Sequence, residues 1–125
     1  MFEDISVGVD IEEISRFEGK TADRDFAFLN KIFTSKELEY SFSDNNSSKH
    51  LCARYCAKEA VVKALQALNI KGIYYRDIEI SNNIDGVPIA SVKNHSDLQI
   101  KVSLSHCKNY ATAMAIVKKP NKVSC

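Results

Sequence analysis

The sequence predicts an α+β fold: a small antiparallel sheet packed with a long alanine-rich helix and shorter helices. Three features carry that expectation. One stretch spaces its alanines at the helical period, several short runs alternate apolar and polar residues, and turn signals set those runs apart as hairpins.

Ile5, Val7, Val9 and Ile11 fall on one face of an opening strand, with Ser6, Gly8 and Asp10 on the other. Ile14 and Phe17 carry the apolar pattern into a short turn. Phe26, Phe28, Leu29, Ile32 and Phe33 suggest a helix within residues 18–32. Thr34 and Glu37 have the spacing of a capping box, and Phe33 and Leu38 that of a hydrophobic staple, which predicts a helix from Ser35 to Phe42. The polar run Ser43–Ser48 separates it from the longest helix, expected from Lys49 to Leu68. There Ala53, Ala57, Ala60, Ala64 and Ala67 form one stripe, widened by Val61, Leu65 and Leu68. A narrower stripe beside it carries Cys52, Cys56, Glu59 and Lys63. After Gly72 the period returns to two. Ile78 and Ile80 alternate with Asp77 and Glu79, Asp85-Gly86 signals a turn, and Val87–Val92 forms a further strand. Lys101–Cys107 and Tyr110–Val117 read as a hairpin joined through Lys108-Asn109.

The 125 residues suit one domain over 1–125, and 45% hydrophobic with 26% charged residues describes a globular chain. A net charge of +1 gives no electrostatic argument for nucleic acid. The charge is nevertheless divided. Residues 1–30 carry eight acidic and three basic side chains, and residues 31–125 carry eight and fourteen. That division suits acidic groups holding a cation beside basic groups meeting an anion, and equally suits ordinary solvated faces. No stretch is apolar and long enough to span a membrane, and the first residues do not form a secretory signal, so a cytoplasmic location is expected. The cysteines, Cys52, Cys56, Cys107 and Cys125, are then expected as free thiols.

Two carboxylates stand out. Asp10 lies on the polar side of a strand beside Gly8, and Glu59 lies mid-helix next to the alanine stripe. Together they suit one hard cation that keeps waters and takes substrate phosphate oxygens, as Mg²⁺ does. Alternatively, Asp10 is a polar strand residue and Glu59 pairs with Lys63 one turn away. Arg54, Lys58 and Lys63 share the helix and are candidates for phosphate oxygens. His106, on the face of Val102 and Leu104, reads as a core histidine or a site residue. Cys52 and Cys56 with His50 suggest buried thiols or, with the wrong spacing for a knuckle, zinc.

Taken in order, the blocks resemble the holo-[acyl-carrier-protein] synthase family, the small 4′-phosphopantetheinyl transferases. The resemblance lies in Val7–Phe17, in Phe33–Leu38, and in the signature helix Ala53–Ala64 with its Lys58-Glu59-Ala60 and Lys63. Arg76–Ile80, Gly86-Val87-Pro88, Leu104-Ser105-His106 and Tyr110-Ala111 complete it. It implies transfer of 4′-phosphopantetheine from coenzyme A to a serine of an acyl carrier protein, with release of adenosine 3′,5′-bisphosphate. It further implies Mg²⁺ held by Asp10 and Glu59, with Glu12 as a possible further ligand. Lys63 would stabilise charge on phosphate oxygens, Arg54 and His106 would bind coenzyme A phosphates, and Arg16 would dock the acidic carrier. Either Glu59 or a metal-bound water would take the serine proton. A homotrimer with sites at subunit interfaces is implied as well.

The sequence departs from the family at Gln66-Ala67-Leu68-Asn69, where a Gly-Thr-Gly loop is usual, and at Tyr75, where Trp is common. Losing the glycines raises a second possibility, a module that binds coenzyme A or the carrier without efficient transfer. A third is a phosphate-ester hydrolase built on the same carboxylates.

Overall fold

The computed structural model describes residues 2–120, so the expectation for Cys125 lies outside the described residues. Strand β1 (Ile5–Glu13) ends in a 3-10 turn at Ile14–Phe17. Helices α1 (Phe26–Leu29), α2 (Ser35–Ser41) and α3 (Ser47–Ala67) follow. A 3-10 turn at Tyr75–Asp77 then leads into β2 (Ile78–Asn82), β3 (Pro88–Val92), β4 (Gln99–His106) and β5 (Tyr110–Lys118). The strands form two antiparallel sheets, one ordered β1-β5-β4 and the other the β2-β3 hairpin. The α+β class holds, with the strands divided between two small sheets.

The local signals act where expected. Thr34 Oγ1 accepts from Glu37 N and Glu37 Oε1 accepts from Thr34 N, which closes the capping box. The helix expected within residues 18–32 shrinks to four residues. Phe26 and Phe28 are exposed and only Leu29 of that helix is buried, so no continuous apolar stripe holds a longer one.

Helix α3 lies against the three-stranded sheet through Ala57, Ala60, Val61 and Ala64, all fully buried. At Gly8 the approach is closest. A Cβ built there would meet Ala60 O at 2.0 Å, so only glycine lets the strand seat on the helix backbone. Ser6 Oγ donates to Ala64 O at 2.6 Å one residue pair along. The alternation of β1 is as read, but the side turned inward is the polar one. Gly8 is buried, whereas Val7 and Val9 are each 60% exposed and Ile11 64%. Met114 and Ile116 of β5 pair with Val9 and Val7 across the ladder and are exposed too. The outer sheet face is thus an apolar surface that no other element of the described residues covers.

The departure at Gln66–Asn69 has a defined shape. Asn69 adopts φ +62°, Asn69 N donates to Gln66 O at 3.0 Å, and Ile70 N donates to Leu65 O at 2.9 Å. This is a Schellman ending with asparagine in the left-handed position that glycine most often takes. The turn that a glycine would supply is retained.

Candidate functional site

Because the polar face of β1 looks at α3, Asp10 meets the stripe that carries Glu59 and Lys63. Lys63 Nζ donates to Val9 O at 2.9 Å and to Asp10 Oδ1 at 3.3 Å. The lysine's ion pair is therefore with the strand, and no pair with Glu59 one turn away forms among the described residues. The other Asp10 oxygen, Oδ2, is buried and has no hydrogen-bond partner. Burial raises the Asp10 pKa against the pull of the Lys63 hydrogen bond, and the nearby Glu12 and Glu59 charges raise it further. Lys63 answers one oxygen of this carboxylate, and the other is left buried with nothing to satisfy it.

Glu59 Oε1 accepts from Tyr75 Oη at 2.5 Å. That hydrogen bond, followed by burial, pushes the Tyr75 phenol up to about 12 and keeps it a donor. Burial and then Glu59 raise the Tyr55 phenol as well. Tyr55 stands one helical turn before Glu59, and its ring lies 5.9 Å from that of Tyr75. Two phenols therefore adjoin one carboxylate. The sequence reading missed both; the i, i+4 spacing of Tyr55 to Glu59 was a visible signal, whereas Tyr75 arrives from another segment.

The donor set Asp10 and Glu59 is all oxygen, anionic and next to an unsatisfied buried carboxylate atom, which fits a hard divalent cation that retains waters. Among the described residues no cluster of three or more His, Cys, Asp or Glu is arranged for a metal. Glu12 shares the inward side of β1 but is engaged with Arg16, Nη1 to Oε1 at 3.1 Å. Arg16 also lies over the Tyr55 ring at 4.7 Å, half exposed at the rim of the same end of the molecule.

Arg54 and His106 sit elsewhere. At about 100° per residue, Arg54 is about 140° around α3 from Glu59. Both line a groove of about 410 Å³ with Tyr40, Asn82, Pro88 and Leu104. The Arg54 guanidinium stacks 4.0 Å over the Tyr40 ring, is buried, and leaves Nε without a partner. His106 is exposed at the edge of this groove and is not a core histidine. The chain thus assembles Asp10, Glu59 and Lys63 in one place and Arg54 with His106 in another.

Lys58 is not available to a phosphate. It is fully buried, pairs with Glu37 Oε1 at 2.6 Å, and donates to Tyr75 O at 2.8 Å and to Ile78 O. Cys52 and Cys56 are buried free thiols directed at the carbonyls of Glu12 and Ala111, while His50 turns to Asp44 at 3.1 Å.

The chain is similar to known proteins over most of its length. A family model described as the 4′-phosphopantetheinyl transferase superfamily matches residues 6–115. A holo-[acyl-carrier-protein] synthase of Thermodesulfovibrio yellowstonii is 42% identical over 111 residues, covering 89% of this chain and 96% of the relative. The acyl carrier protein synthase of Mycobacterium tuberculosis superposes with a TM-score of 0.70 at 32% identity, covering 92% of this chain and 97% of the other. A holo-(acyl-carrier-protein) synthase of Bacillus anthracis, solved in complex with CoA (3′,5′-ADP), gives 0.71 at 26% identity over 91% and 96% of the two chains.

Proposed function

The chain belongs to the 4′-phosphopantetheinyl transferase superfamily and is an enzyme of its holo-[acyl-carrier-protein] synthase type, and from that premise we propose how its residues perform the transfer. The substrates are coenzyme A and an apo-acyl carrier protein. The carrier serine attacks the phosphorus that bears pantetheine, the bond from that phosphorus to the bridging oxygen breaks, and adenosine 3′,5′-bisphosphate leaves. The observation that carries this reading is the half-buried Asp10 carboxylate next to Glu59, one oxygen on Lys63 and the other, Oδ2, buried and unpartnered.

Asp10 and Glu59 would hold Mg²⁺. When bound, that ion supplies charge neutralisation at the pyrophosphate. Lys63, half exposed on the open side of Asp10, is placed to meet the phosphate oxygens that gain charge as the bond breaks. The serine proton passes to Glu59 or to water. Arg54, from the wall of its groove, and His106, from the groove's edge, bind coenzyme A phosphates, and Arg16 offers its guanidinium to the acidic carrier.

One chain separates these two groups, and its outer sheet face is apolar. Both facts support a homotrimer in which the groove of one subunit faces the carboxylates of the next. We read residues 1–125 as a single domain. Among the described residues no helix is long and apolar enough to cross a membrane. With an acyl carrier protein as its substrate, the enzyme is read as acting in the cytoplasm.

The test is the intact mass of an apo-acyl carrier protein incubated with this protein, coenzyme A and Mg²⁺. The carrier is expected to gain one phosphopantetheinyl group, and to gain none when chelator replaces the metal. Glu59→Gln is expected to lower the rate by about a thousandfold or more with the fold intact. Unchanged turnover in that variant overturns its role, and coenzyme A binding with no mass gain on any carrier favours a binding module.

A further inference from the structure

We propose that Tyr75 is a positioning residue for Glu59, holding one carboxylate oxygen so that the other is directed to the cation; this rests on the reading of Asp10 and Glu59 as cation ligands. The contact, Tyr75 Oη to Glu59 Oε1 at 2.5 Å, has the length of a charge-assisted O–H···O⁻ bond. Glu59 reaches the site on a long, rotatable side chain, and on α3 alone its carboxylate would sample several rotamers.

The donor is itself unusually well held. Lys58, buried in α3, donates to the carbonyl of Tyr75 at 2.8 Å and to that of Ile78. One residue before, Tyr74 N donates to Asp77 Oδ2 at 2.9 Å; one residue after, Arg76 Nε donates to Phe33 O at 3.2 Å. The ring packs at 5.9 Å against Tyr55. The segment around Tyr75 is thus held from α3 through the Tyr75 carbonyl, from its own turn through Tyr74 N, and from the segment before α2 through the Arg76 side chain. The phenol oxygen inherits that fixed position. A tyrosine that only filled space would need its ring and not a hydroxyl on the carboxylate. Lys58 accordingly serves the site indirectly, by fixing the residue that orients its neighbour Glu59.

The consequence is specific to cation affinity. Hydrogen-bond partners of metal ligands commonly contribute about 10- to 100-fold to affinity or activity. Tyr75→Phe deletes only the hydroxyl. The experiment titrates Mn²⁺ into wild type, Tyr75→Phe and Glu59→Gln in the presence of coenzyme A, reading free Mn²⁺ by electron paramagnetic resonance. Thermal unfolding and the metal dependence of carrier modification are followed alongside. We expect Tyr75→Phe to bind Mn²⁺ about tenfold more weakly and to need correspondingly more metal for half-maximal rate, with kcat recovered at saturation. Wild-type affinity in Tyr75→Phe, with binding lost in Glu59→Gln, overturns the role of Tyr75 and leaves the cation site standing. Unaltered Mn²⁺ binding in Glu59→Gln overturns the site and the proposal together. A lower unfolding temperature in Tyr75→Phe with an unchanged metal requirement assigns the tyrosine to packing alone and also overturns the proposal.

Discussion

Two lysines of helix α3, Lys58 and Lys63, pair with carboxylates that are treated in opposite ways. Lys58 and Glu37 are both fully buried, 2.6 Å apart, and both have further partners: Glu37 also accepts from Thr34 N and Ile80 N, and Lys58 donates to two carbonyls. Lys63 and Asp10 are 3.3 Å apart, the lysine is half exposed, and one Asp10 oxygen is buried with no partner. A finished pair joins α2, α3 and β2; an unfinished one faces a site. The desolvation of a carboxylate is repaid in the first case by the fold itself, and in the second it is left for a ligand to repay. Completeness of the hydrogen-bond set, not the presence of a salt bridge, separates structure from chemistry here.

Removing the lysine of the finished pair should have the largest effect on folding. Lys58→Ala leaves the Glu37 charge buried without its partner and is expected to cost about 3–5 kcal/mol in urea unfolding. The double variant Glu37→Leu/Lys58→Met should recover much of that loss, and a double variant as unstable as the single would break the comparison.

The unfinished pair should respond in the opposite direction. Burial holds the Asp10 pKa above its unfolded value, so its charge opposes folding above the folded pKa, and that penalty fades as pH falls toward the unfolded pKa. Asp10→Asn is therefore expected to raise the thermal midpoint at pH 7 and to abolish transfer. The two proteins should converge in stability at acidic pH. A destabilised Asp10→Asn would mean that the Lys63 bond outweighs desolvation.

Lys63→Ala should have the smallest effect on stability, within about 0.5–1 kcal/mol for a pair with one exposed partner, while its transfer rate drops. Chemical denaturation together with the carrier-modification rate checks both parts, and a loss as large as that of Lys58→Ala would erase the distinction between the pairs.

How much of this was readable varies with the range of the interaction. The capping box at Thr34 and Glu37, the alanine stripe and the hairpin periods are set by neighbours within a few residues, and they appear where the sequence places them. The candidate site was legible by resemblance and by the stripe that joins Glu59 to Lys63. The geometry then selected Asp10, not Glu59, as the partner of Lys63, and separated Arg54 and His106 from both. Lys58 was misread because a lysine next to candidate site residues on one helix looks the same in sequence whether it faces solvent or a buried carboxylate. The short α1 failed for a related reason, since apolar residues without a continuous stripe do not hold a helix.

The sequence by itself determined the elements, because helix period, strand alternation, caps and turns are local properties of the chain. Only the tertiary structure decided what those elements do. Glu37 reads locally as a helix cap and becomes the anchor of a buried ion pair because α3 delivers Lys58 to it. Strand β1 turns its polar face inward because Gly8 admits the backbone of α3, leaving Val7, Val9 and Ile11 outside. Tyr75 meets Glu59 from across the fold. Periodicity sorts residues into faces, but desolvation and hydrogen bonding depend on what each face meets, and that is fixed by contacts between segments distant in sequence.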